Sequence, residues 1–144
     1  MPAVANIVLA DAQATPVNHT FIPVGQDTNG VWWFEDQSAS NPIGYNKISV
    51  QVSRAPNPSV GANAGERVNR VKLAIHTPKL EVLGNNSSGI TPPPQVAYVP
   101  RFSCEFILSD RSVLQDRKDL RKFADFLFAN ALVTDVVENL TSLY

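Results

Sequence analysis

The chain has 144 residues, 44% hydrophobic and 17% charged, with a formal net charge of −1 and a single cysteine, Cys104. Such a chain is long and apolar enough to bury a core as one domain, which excludes a disordered segment and a disulfide-built scaffold; a lone thiol points to a reducing compartment. No apolar stretch reaches the roughly 20 residues of a membrane span and no basic segment precedes an apolar run at the start, so a soluble, unprocessed protein is expected.

In chain order, residues 6–12 (NIVLADA) and 17–24 (VNHTFIPV) read as a hairpin around the turn-prone QATP, so residues 1–26 form an N-terminal hairpin. Asn29-Gly30 then predicts a type I′ turn into VWWFED, residues 31–36. In residues 45–54, Ile48, Val50 and Val52 alternate with Lys47, Ser49, Gln51 and Ser53. In residues 67–78, Val71, Leu73 and Ile75 alternate with Arg70, Lys72, Ala74 and His76. In residues 101–108, Phe102, Cys104 and Phe106 alternate with Arg101, Ser103 and Glu105. These strands share an apolar face and a polar one that is basic on balance, the pattern of an antiparallel sheet covered on one side. A sheet of about five strands is expected over residues 30–108.

Charge follows the same division. Residues 1–44 hold no Lys or Arg and four acids, Asp11, Asp27, Glu35 and Asp36; residues 45–79 hold six bases against Glu66 alone, a local charge of +5. The centre is a candidate polyanion surface, and a merely solvated strand face is the alternative. Residues 84–94 (GNNSSGITPPP) can join neither helix nor ladder, because proline removes donors and the Gly, Asn and Ser run favours turns. Loops of that length are functional or disordered.

Residues 112–144 read as helical. Ser112-Val113-Leu114-Gln115 fits a capping box, after which Leu120, Phe123, Ala124, Leu127 and Ala131 recur at helical spacing opposite Asp116, Lys118, Asp119, Lys122 and Asp125. A second, shorter helix is expected with Thr134 as its cap and Val133, Val136, Val137 and Leu140 on one face. The helices are the expected cover for the apolar side of the sheet. Phe126 and Phe128 fall outside the stripe and point to a partner subunit, with an unusually deep core as the alternative.

No Gly-rich phosphate loop, HExxH, CxxC or GxSxG is present. His19 and His76 lie on different strands with no carboxylate at ligand spacing, and Cys104 points inward as a small hydrophobe, so no catalytic residue, metal or cofactor is expected. The chain does not read as an enzyme.

The order of elements, together with NKISVQVSR (46–54), NRVKLAIHTPKL (69–80), PQVAYVPRFSCEFIL (94–108) and the tail from Asp116 to Tyr144, resembles the coat proteins of single-stranded RNA bacteriophages, the levivirus type. The resemblance covers almost the whole chain as a single coat-protein domain, 1–144. It implies an α+β fold in which two subunits interlock into one continuous sheet, each laying its helices across the other, with Phe123, Phe126, Leu127 and Phe128 at the interface. It also implies an icosahedral shell assembled in the bacterial host cytoplasm, with no membrane and no small-molecule substrate. The polar sheet face would meet genomic RNA and an RNA hairpin whose binding represses replicase translation.

Position by position, the RNA-facing candidates are Lys47, Ser49, Gln51 and Ser53, then Arg70, Lys72 and His76, then Arg101 and Ser103: cations for phosphates and short polar side chains for unstacked bases. Arg101 stands where the best-studied members place a base-stacking Tyr, and Ala74 where they have a second Lys; RNA packaging transfers, the identity of the hairpin does not. The loop at Asn85, Asn86, Thr91, Pro92 and Pro93 would contact neighbouring dimers. The competing reading is a non-assembling, dimeric RNA-binding regulator using the same face.

Overall fold

The computed structural model describes residues 3–81, 84, 87 and 89–144, so Asn85 and Asn86 lie outside the described residues. The chain divides into two compact units, Met1–Arg54 with Asn69–Ile107, and Ala55–Val68 with Leu108–Tyr144.

The first unit is built on a six-stranded sheet, with strands β1 (Ile7–Ala10), β2 (Asn18–Gln26), β3 (Val31–Asp36), β4 (Asn46–Ser53), β5 (Val68–His76) and β8 (Arg101–Ser109) in the order β1-β2-β3-β4-β5-β8. Neighbours from β1 to β5 pair antiparallel. The N-terminal hairpin is thus the edge of the same sheet, which brings the ladder to six strands.

The β2–β3 reversal departs from a type I′ turn, since Gly30 (φ 76°) has positive φ and Asn29 does not. The carboxylate of Asp27 shapes this turn instead, accepting the amides of Asn29 at 2.8 Å and Val31 at 3.0 Å. That is an Asx-type turn, and it costs the chain one positive φ rather than two. Further along the same pair the register slips between Pro23 and Gly25. Proline has no amide to give the ladder, so the bulge falls where a regular bond is impossible.

Phe21, Phe34 and Ile48 are the buried apolar side chains among the described residues, with Ile7, Trp32, Val50 and Ile75 packed against them. Each such burial is worth about 1.5–3 kcal/mol. This nucleus lies toward the β1–β4 side; at the other side of the ladder Val52 and Phe102 are exposed. Cys104, on the same strand as Phe102, is half-buried.

Two short strands that strand alternation does not predict, β6 (Lys79–Leu80) and β7 (Val96–Tyr98), pair antiparallel at the base of the long loop. The Glu81 amide extends them by donating to the Gln95 carbonyl at 2.8 Å. Leu80 covers Gly44, at the end of a short 3₁₀ turn over Pro42–Gly44, so closely that a Cβ there would lie 3.0 Å from two Leu80 carbons.

The second unit carries α1 (Leu114–Phe128) and α2 (Ala131–Asn139). Both expected caps are displaced. Ser112 is occupied in closing the turn after β8, its hydroxyl donating to the Ser109 carbonyl at 2.6 Å, and α1 starts after Val113, whose amide donates to the Asp116 carboxylate at 3.1 Å. The capping of α2 falls to Asn130, which accepts the Leu132 amide at 3.0 Å, while Thr134 lies one turn inside and bonds back to the Asn130 carbonyl at 3.2 Å. A mid-helix threonine takes that bond readily. No residue of either helix is buried.

Candidate nucleic-acid interface

Strand alternation decides which side chains share a face, and cross-strand register decides which are neighbours. On one face Lys47, Ser49, Gln51 and Ser53 stand opposite His76, Ala74, Lys72 and Arg70 in turn. Ser103 rims an open hollow of about 510 Å³ together with Ser49, Gln51 and Lys72. Arg101, two residues earlier on β8, is exposed on the same face by alternation. All nine candidates therefore lie on one face.

Three details change how that face reads. Its cations are partly matched: Lys47 meets Glu35 at 2.8 Å, and Arg70 and Lys72 approach Glu105 at 3.2 and 3.9 Å. Pairs at the surface, even partly covered as these are, are worth about 0–1 kcal/mol, weak enough for a phosphate to displace the carboxylate. Gln51 also has a structural duty, its amide donating to the Asn29 carbonyl at 3.0 Å.

The third detail is β3. Val31, Trp33 and Glu35 lie opposite Gln51, Ser49 and Lys47, and so join the polar face. The Trp33 indole N–H donates to Asp27 at 3.2 Å, and the ring stands edge-on to His76, 6.4 Å between centroids at 85°. Trp33 is not among the residues that charge and alternation single out, although two consecutive tryptophans in one strand must face opposite ways.

The other face carries a polar clasp at its β1–β4 end. Asp36, 4% exposed, accepts from the ring of His19 at 2.7 Å, the Ser38 amide at 3.2 Å and the Asn46 amide at 3.3 Å. The other ring nitrogen of His19 lies 3.4 Å from Asp11. Hydrogen bonding to Asp36 raises the pKa of His19 above its usual 6.5, with burial opposing and Asp11 assisting. Burial pushes the Asp36 carboxyl up, but the donors His19, Ser38 and Asn46 outweigh it and hold the group below 3.8.

On α1, Phe123 (70%), Phe126 (62%), Leu127 (57%) and Phe128 (52%) are all exposed, and the Lys122 ammonium lies 4.3 Å from the centre of the Phe126 ring. In the loop Thr91 and Pro93 are exposed and Pro92 is half-buried. Among the described residues no group of His, Cys, Asp and Glu could hold a metal ion, and no helix is long and apolar enough to cross a membrane.

A six-stranded sheet followed by two helices with exposed apolar residues leaves apolar surface for a partner to cover. The chain belongs to the levivirus coat protein family, whose model matches residues 2–144. Its structure is similar to a subunit of the virus-like particle of bacteriophage ESE058, at 42% identity and TM-score 0.91 over 99% of this chain and 100% of that one. The corresponding subunit from bacteriophage NT-214 is 32% identical, TM-score 0.84, over 99% and 100%. The bacteriophage GA capsid protein, 19% identical, shares the fold with TM-score 0.71 over 96% of each chain. No protein of curated description matches the chain.

Proposed function

We propose that this chain is the subunit of a closed icosahedral virion shell, that it dimerises through Phe123, Phe126, Leu127 and Phe128, and that the polar sheet face packages single-stranded RNA. The observation that carries the RNA reading is the convergence of Lys47, Arg70, Lys72 and Arg101 with Ser49, Gln51, Ser53 and Ser103 on one face of one sheet. Cations supply the sequence-independent part of binding, and short polar side chains beside open hollows suit unstacked bases. The same surface would take an RNA hairpin and so repress translation of the replicase. Four exposed apolar residues along one helix, in a family whose relatives form virus-like particles, support the dimer and the shell. Assembly takes place in the bacterial cytoplasm, and the loop with Asn85, Asn86, Thr91, Pro92 and Pro93 touches neighbouring dimers.

Electron microscopy of the purified protein tests the shell: uniform closed particles containing nuclease-protected RNA are expected. Dimers that bind RNA without closing would show a regulatory protein instead. For the RNA face, Lys72→Ala with Arg101→Ala should lower the slope of log affinity against log salt by roughly 0.7 for each phosphate no longer neutralised. An unchanged slope would move RNA off this face.

A further inference from the structure

The geometry points to Trp33 as a pre-positioned stacking platform for one unpaired RNA base, in a hollow between β2 and β4 bordered by His76 and Lys47. The inference deepens the RNA reading of this face and rests on it.

Four observations carry it. First, the indole lies on the polar face, opposite Ser49, although a tryptophan is the largest apolar side chain available and belongs by size with Trp32 on the other side. Second, its neighbours across the strands are small: Gly25 on β2, Ser49 on β4 and then Ala74 on β5. No tall side chain in that row leans on the ring, so it stands as a wall between two open hollows, one of about 510 Å³ and one of about 470 Å³. Third, its orientation is held from two sides, by Asp27 accepting the indole N–H at 3.2 Å and by His76 meeting the ring edge-on. A ring fixed at its edges loses little conformational entropy when a base stacks on its face. Fourth, Lys47 borders the 470 Å³ hollow. Its ammonium can exchange its weak pairing with Glu35 for the phosphate of a stacked nucleotide.

Apolar surface beside a cation, with a hydrogen-bonded ring as its wall, suits a nucleobase better than an aliphatic group. Stacking is indifferent to base identity because every base has a π-face, so the platform adds affinity for unpaired RNA without fixing its sequence.

The test uses Trp32→Phe protein, in which Trp33 is the sole tryptophan, and two single-stranded RNA oligomers of equal length, one complete and one made abasic. Both should bind with the same salt slope. Only the base-bearing oligomer should quench Trp33 emission, and it should bind more tightly. Trp33→Ala should then weaken the base-bearing oligomer by about 5- to 150-fold, the range of one base–aromatic stack, while leaving the abasic one unchanged; Trp33→Phe should recover part of the affinity. If both oligomers bind and Trp33 emission does not change, the platform is wrong and the RNA face stands. If neither oligomer binds, the RNA reading fails and the platform with it.

Discussion

In the sheet, Phe21, Phe34 and Ile48 lie beneath their neighbours and the one buried acid, Asp36, is met by three hydrogen-bond donors. In α1, Phe123, Phe126, Leu127 and Phe128 occupy one regular helix and every one is exposed. The two regions have similar apolar content but differ in where its cover comes from. The sheet supplies part of its own, and its stability should be a property of the single chain. The helices supply little, with Ala124, Val133 and Val136 only half-buried, so their contribution to stability should depend on how many copies are present.

The contrast is sharpest between Phe34 and the helical pair. Phe34→Ala should cost about 3–5 kcal/mol in denaturant unfolding, by the same amount at every protein concentration. Phe126→Asp with Phe128→Asp should instead abolish self-association in sedimentation, and its effect on stability should scale with concentration. Equal, concentration-independent effects from the two would break the comparison.

A smaller effect separates polar from apolar support within the sheet. Asp36→Ala strands the partners of a buried carboxylate and should cost about 1–3 kcal/mol. Asp36→Asn, which keeps an acceptor oxygen, should cost less, and a neutral outcome for both would mean that the clasp does not hold the hairpin.

Protonation adjusts the same clasp more gently. The pKa of His19 is raised on folding, so its contribution is complete below 6.5 and is lost as pH climbs through the higher folded value. Asp36 has the opposite sign: its contribution is present above 3.8 and is lost as pH falls through its lower folded value. Stability of the sheet should therefore be greatest between about pH 4 and 6.5. His19→Gln should flatten the decline on the alkaline side; if the decline persists unchanged, another group causes it.

The smallest change is expected from the long loop. Because β6 and β7 already pair at its base, shortening residues 85–93 to a turn alters only closure entropy, about 0.6 kcal/mol per doubling of length. The trimmed protein should melt like the parent, yet give no particles or particles of altered size. Normal particles would make the loop a connector.

Period-2 alternation is enough to find β4, β5 and β8, because each has one face apolar and one polar, and the terminal helices are legible from their stripe. What the sequence hides depends on competition for single hydrogen-bonding groups. Ser112 has the residue type of a cap but is claimed by the Ser109 carbonyl, and Thr134 sits four residues beyond the asparagine that caps α2. The pair β6–β7 is two and three residues long, too short for any period to show. At the candidate interface, parity groups the nine residues strand by strand, and the observed register then brings the groups to one face. Trp33, Glu35 and Glu105 change that face through register with their neighbours, and register is a property of two strands together.

The absence of Lys and Arg before Lys47 has a practical consequence. Trypsin has nowhere to cut within β1, β2, β3 or the turns that join them. The first possible cut, after Lys47, falls two residues into β4, a strand paired on both sides. In a digest followed by mass spectrometry, release of a peptide ending at Lys47 therefore reports opening of the ladder itself, and it carries both tryptophans, His19 and Asp36 in a single fragment.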